Sequence, residues 1–487
     1  MEDTTRPTRP PLGPGNDSDN QDETTRLLAS WQIDEQTHAR ILETEIVPVE
    51  LGPFLKGPVG FGEGESASEG INERGGKGGG IEGGEIEGGQ TGQRPLVIFV
   101  IGQTGAGKSV FTPRLLEALR EEDDGGNSRE KGEQKQRSVL HLIADTYKTY
   151  HPFYHAALAH DQGRATTASS AYASGTILST STSTNTNPTN PETHSPNTTT
   201  TPTPTPKKPL ASRLAGPSAA RWLREICERA AALHVPRVVI ELACRRGRGP
   251  GRGNGGTLQA GGATEGGELA RLASGVFSLH GYTVRVAVLA VPTPLSRLGV
   301  LVRFYAASSA SSASSSTSGG SQGQEQQQEQ QQQQHQHKMP PRLTPRVVHD
   351  ESVAGVREAV AWVDAGMDAV DGGSFVVDRV VVLRRGGGVV HERESDRVRQ
   401  VEEEGEKTEK PDSAGRALER EQARPLSRAD RKTAAADIAM LRALGGPGVD
   451  KEVDDIEGLL EELGEETETE TEAKMFDAAA FVSMRES

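Results

Sequence analysis

Leu96-Val-Ile-Phe-Val-Ile-Gly102-Gln-Thr-Gly-Ala-Gly-Lys108-Ser109 decides the fold. Its first six residues are an unbroken apolar run of strand length, the composition of a strand buried on both faces of a parallel sheet. The next eight, Gly102, Gln103, Thr104, Gly105, Ala106, Gly107, Lys108 and Ser109, match the Walker A pattern Gly-x-x-x-x-Gly-Lys-Ser/Thr in full. Glycines let backbone N–H groups close on a phosphate chain, and the helix that starts there adds a dipole favouring the anion. Lys108 then reaches the β and γ phosphates and Ser109 offers its hydroxyl to magnesium. Residues 110–120 continue as a helix, so the motif stands between a strand and a helix, the context it requires. ATP and Mg are the expected cofactors.

Outward from this stretch, apolar strands alternate with helical patterns. Strands are expected at 139–144, 238–241, 282–291 and 375–383, and helices at 221–233, 269–279 and 353–363. Upstream, residues 35–47 read as one amphipathic helix stopped by Pro48. The alternation implies an α/β fold, a P-loop kinase-like parallel sheet covered by helices on both faces. Biased segments interrupt it: a Gly/Glu linker at 60–93, a Ser/Thr/Asn/Pro tract at 166–209 and a Ser-then-Gln tract at 306–337. Such inserts are thermodynamically tolerable, since doubling a loop costs about 0.6 kcal/mol. The expected organisation is a disordered 1–29, a domain over 30–390, and an acidic, mostly disordered 391–487 with helical patterns at 434–444 and 453–463.

Apolar residues make up 33% of the 487 residues and aromatics 4%, so the core must be smaller than the chain. A net charge of −15 argues against nucleic acid as a partner. Two cysteines, Cys227 and Cys244, neither form a disulfide framework nor have zinc spacing. With no apolar signal core and no window of membrane-spanning length, a cytoplasmic protein without membrane contact is expected.

Asp145 ends the second strand, at the carboxyl edge where ligands gather in open parallel sheets. There it can take a proton from an acceptor hydroxyl during phosphoryl transfer, or simply cap the segment that follows. His151 before Pro152 reads as a turn-shaping residue. Glu241 ends the third strand, with a cap or a surface ion pair as its plain alternative. Arg303 and Glu225 lie on amphipathic helices, where a solvated face is the default. Arg245 to Arg252, interspersed with glycine, has the look of an RNA-binding segment but lacks the aromatic residues that stack bases.

Several blocks, in order, resemble the zeta toxin family: Ile-Val-Pro48, the run 94–109, and Asp145-Thr-Tyr-Lys-Thr-Tyr-His-Pro152. Val239-Ile-Glu241 with Arg245, Ala290-Val-Pro292 leading to Ser296 and Arg303, and Arg342-Leu-Thr-Pro-Arg-Val-Val-His349-Asp350 continue the series. The resemblance implies a kinase moving the γ-phosphate of ATP to a sugar hydroxyl of UDP-N-acetylglucosamine. It implies Asp145 as base, Lys108 as the phosphate lysine, and Arg303 and Arg342 as the arginines on the transferring phosphate. Glu225, Glu241 and Arg245 fall on substrate-contacting positions. The family's Glu-Gly-Thr-Leu-Arg block reads Glu241-Leu-Ala-Cys-Arg245 here, so Ala243 replaces a hydroxyl contact and leaves the acceptor open. An antitoxin-like protein partner over the helix before the loop also follows from the resemblance. A kinase for another small acceptor and a non-catalytic ATP-binding regulatory module remain as alternatives.

Overall fold

The structure is a computed structural model that describes residues 17–55, 94–124, 139–161, 209–244, 267–313, 343–368, 377–395, 412–445, 449–464 and 474–483. Six strands form one sheet: β1 (Leu96–Gly102), β2 (Val139–Ile143), β3 (Arg237–Leu242), β4 (Thr283–Ala290), β5 (Arg379–Arg384) and β6 (Val389–Glu394). Their spatial order is β2-β3-β1-β4-β5-β6. The first five run parallel, with Ile98 opposite Val239 on one side and Arg285 on the other. β1 is central and buried throughout, which is why its sequence is apolar without alternation.

The helices are α1 (Asp17–Ser30), α2 (Glu35–Ile41), α3 (Lys108–Asp124), α4 (Leu210–Ala232), α5 (Gly267–Leu272), α6 (Thr293–Ala313), α7 (Arg346–Met367), α8 (Ala414–Gln422), α9 (Arg428–Leu444), α10 (Val449–Glu462) and α11 (Ala478–Val482). Val97, Phe99 and Ile101 face a core built with α2, α4, α5, α7 and α8, where Trp222, Ile226 and Val360 are fully buried. Leu96, Ile98 and Val100 face the other way, against α3, α6, α9, α10 and α11. The sheet is thus covered on both faces, as the alternation of patterns requires.

Four expectations are corrected. Residues 17–29, expected to be disordered, lie in α1; Leu27 and Leu28 pack on a small cluster around Tyr154 and Leu210, and Trp31 stacks on Phe153 at 5.9 Å. Pro48 does not stop the helix that begins at Glu35. The chain passes through a π-helical stretch, Leu42–Ile46, into Val47–Glu50, where Pro48 sits in a first turn that needs no amide there. The insert expected from 306 starts later, because α6 runs on to Ala313. The boundary at 390 falls inside β6, an antiparallel strand joined to β5 by a turn in which Gly386 and Gly387 have φ of 99° and 95°.

The region beyond that boundary is part of the core. Ala414, Ala417 and Leu418 are fully buried on one face, and Ile438, Leu441, Val453, Ile456 and Leu460 are buried on the other. Except for Glu452, which pairs with the buried Arg297 of α6, the acidic residues of α10 lie away from the core, so average composition hid an apolar stripe at i, i+3 and i+7. The linker 60–93 and nearly all of 166–209 lie outside the described residues.

Candidate active site

The glycine-rich loop is shaped by two positive φ angles, 85° at Gly105 and 92° at Gly107. At Gly105 a Cβ would stand 2.0 Å from the carbonyl oxygen of Ser296, so only glycine lets the loop seat against the first turn of α6. At Gly107 a Cβ would meet nothing within 4 Å: it points into open space above the loop. Among the described residues, no protein acceptor takes the amide of Gly105, Gly107, Lys108 or Ser109. These are the donors that a helix start presents to an anion.

Lys108 donates to the carbonyls of Gly102 at 2.6 Å and Gln103 at 3.3 Å, so its ammonium lies across the loop. Burial holds it below the usual lysine range; the carboxylates of Glu241 and Asp145 counteract this, and the charge of Arg303 adds to it. Burial pushes the Cys244 thiol up to about 12, which leaves it neutral at physiological pH.

Asp145 follows β2 at the head of the 3-10 turn Thr146–Tyr150 and makes no capping bond with its side chain. The capping reading is therefore set aside. Its Oδ1 accepts from the buried ammonium of Lys148. His151 has the turn role expected of it: its Nδ1 accepts from the Phe153 amide at 3.3 Å, and burial lowers its basicity. Glu241 is buried at the end of β3, with Oε1 3.0 Å from His141 Nε2. Burial works to raise its pKa, but His141 and Lys108 outweigh that and hold it below the carboxylate range.

The other expected residues divide. Arg303 is exposed on α6, within electrostatic reach of Lys108. Arg342 and Arg245 lie outside the described residues. Glu225 bonds to Arg221 at 2.7 Å, and Arg221 in turn pairs with Glu35 at the start of α2. Its interactions tie it to α2 rather than to the phosphate loop, the outcome that its place on an amphipathic helix favours. Ser109 is exposed in the first turn of α3. No group of three His, Cys, Asp or Glu able to hold a metal occurs among the described residues. A magnesium ion fits by another route, since it binds through one or two protein oxygens plus phosphate and water, and Ser109 offers such an oxygen.

Sequence reasoning missed the residues that brace the loop from behind. Gln103 donates to Ser296 Oγ at 3.3 Å and to the carbonyl of Val291, and accepts from Gln422 of α8 at 3.4 Å. Ser352 Oγ accepts from the Thr104 amide at 3.1 Å, and His349 Nε2 lies 2.7 Å from Ser296 Oγ. Arg357 Nε donates to Gln422 Oε1 at 2.9 Å. Burial sites with such polar content are rare enough that each bond matters to loop geometry.

A parallel sheet whose central strand runs through this loop into a helix defines a P-loop protein of the kinase-like kind. The family model described as Zeta toxin matches residues 84–180, a stretch that includes β1, the loop, α3, β2 and the Asp145 turn. That match supports the resemblance to zeta toxins and, coarsely, a phosphotransferase. A solved chain from the PezAT chromosomal toxin-antitoxin system of Streptococcus pneumoniae is 14% identical, with a TM-score of 0.37 over 74% of this chain and 91% of that one. This global likeness is weak. No curated protein matches the sequence. No described helix is long and apolar enough to cross a membrane.

Proposed function

We propose that this protein transfers the γ-phosphate of ATP to a hydroxyl of a nucleotide sugar, with UDP-N-acetylglucosamine as the first acceptor to test. The observation that carries the proposal is the glycine-rich loop itself, set between β1 and α3 with amides that no described residue accepts, beside Asp145 and Glu241 at the carboxyl ends of β2 and β3. A bound polyphosphate would take the loop amides and draw Lys108 off the carbonyls of Gly102 and Gln103 into stronger, charge-assisted bonds. Asp145 is assigned as the base. It accepts the acceptor hydroxyl's proton while that oxygen bonds to the γ-phosphorus and the bond to the β-phosphate oxygen breaks, releasing ADP. Ser109 would hold a magnesium ion through its hydroxyl, and that ion would supply charge neutralisation to the phosphates. Arg303 and Arg342 are assigned to the equatorial oxygens, whose charge grows during transfer. Glu241, Arg245 and Glu225 remain the candidate acceptor contacts, Glu225 requiring that Arg221 release it.

The test is transfer from labelled ATP to a panel of nucleotide sugars, with calorimetric ATP affinity alongside. Lys108→Ala is expected to weaken ATP binding and abolish transfer together. Asp145→Asn is expected to keep ATP affinity while transfer falls by about 10² to 10⁴. Wild-type transfer rates in Asp145→Asn would remove the base assignment. ATP binding without transfer to any acceptor would favour a regulatory nucleotide-binding module.

A further inference from the structure

Ser296, His349 and Asp350 form a line behind the phosphate loop. Ser296 and His349 are buried, and Asp350 is exposed. His349 Nδ1 lies 3.2 Å from Asp350 Oδ1, and Nε2 lies 2.7 Å from Ser296 Oγ. A carboxylate only accepts, so Nδ1 carries the proton and the neutral ring presents Nε2 as an acceptor. Burial lowers the basicity of His349, with Asp350 opposing, which keeps that neutral ring available. The hydroxyl proton of Ser296 then has two acceptors in reach, His349 Nε2 at 2.7 Å and the carbonyl of Thr293 at 2.9 Å, and its oxygen accepts from Gln103 Nε2. The serine is sealed from solvent, so the line has no nucleophilic use.

Its mechanical use follows from what Ser296 touches. The carbonyl of Ser296 is the atom against which Gly105 seats, and a Cβ at Gly299, one turn further on, would stand 3.0 Å from Gly105 O. The same helix carries Arg303. Fixing Ser296 therefore fixes both the height of the loop and the approach of that arginine.

We propose that His349 is a positioning residue for the phosphate loop, acting through Ser296 to hold Gln103 and Gly105 in register with the first turn of α6. The proposal rests on the phosphate-binding reading of residues 102–109, and not on the identity of the acceptor.

The experiment measures Mg·ATP affinity of the full chain by calorimetry, beside thermal melting, for His349→Phe, His349→Gln, Ser296→Ala and the Ser296→Ala/His349→Phe double variant. Phenylalanine keeps the ring volume and removes both bonds; glutamine places a polar group near the position of Nε2. His349→Phe is expected to weaken Mg·ATP binding about tenfold, the scale of one lost buried hydrogen bond, with His349→Gln within about threefold of wild type. Ser296→Ala is expected to match His349→Phe, and the double variant to lose no more than either, because the two act through one contact. A purely structural role would lower the melting temperature of His349→Phe while its folded fraction bound Mg·ATP like wild type, and that result overturns the proposal. Additive losses in the double variant overturn it as well. If His349→Phe does not fold, Ser296→Ala decides, and wild-type affinity there sinks the idea. Wild-type protein that binds Mg·ATP but phosphorylates no sugar removes the acceptor assignment and leaves this inference standing. Wild-type protein that binds no Mg·ATP removes both.

Discussion

Gly105 and Gly107 share a positive φ for different reasons, and substitution separates them. Alanine at either position meets the left-handed penalty of about 1–2 kcal/mol. At Gly105 it also collides with the Ser296 carbonyl, which belongs to backbone and cannot turn aside. Gly105→Ala is therefore expected to melt at a clearly lower temperature than Gly107→Ala, while both lose ATP affinity, the second because its methyl enters the space over the loop. Equal melting temperatures would contradict the seating of Gly105 on α6. At this scale the loop was readable because its chemistry is local: eight consecutive residues state it. Ser352 and Gln422 were not, because they meet the loop across 248 and 319 residues and nothing in their own neighbourhoods distinguishes them; His349 stood in a matched block, but its bond to Ser296 could not be read there. Glu225, placed on the substrate by motif matching, accepts from Arg221 one turn away on the same helix, a bond that its i, i+4 spacing allows.

Among elements, the five parallel strands were all legible, the inner ones as apolar runs left by burial on both faces and the edge strand β2, Val139-Leu-His-Leu-Ile143, as a short apolar stretch whose burial alternates. β6 was not: Val389-Val-His-Glu-Arg-Glu394 is half-buried and polar, and pairs at an edge. Beyond β6 only α9 and α10 were seen as patterns, without a place in the core; α10's stripe was masked by its acidic residues, and the short α8 and α11 were not seen. Their packing makes a direct prediction. Ile456 is fully buried among Ile438, Leu441 and Val453 on the second face. Ile456→Ala is expected to cost about 2–5 kcal/mol in chemical denaturation of the whole protein. A change under about 0.5 kcal/mol would mean that α10 does not belong to the cooperative unit.

For the whole molecule, biased composition and buried core occupy different parts of the chain. Replacing residues 166–208, or 314–337, by a short Gly/Ser linker is expected to leave melting temperature and ATP affinity within error of wild type, because these tracts lack apolar side chains to contribute to a core. The second replacement retains Arg342 and all of α6. Loss of folding in either variant would show that the tract supplies contacts to the core.

Gln103 and Gln422 are 319 residues apart, yet they share a hydrogen bond behind the loop. On a ribosome adding about 5–20 residues per second, roughly 15–60 s pass between the two. Throughout that interval β1 exists without α9, α10 and α11, and one apolar side of the nascent sheet is covered only by α3 and, once it is made, α6. The loop's last brace therefore arrives late, and a nascent chain stalled before α8 presents a half-covered sheet and a nucleotide site held by Val291, Ser296 and Ser352 but not by Gln422, a natural client for chaperones that hold exposed strands.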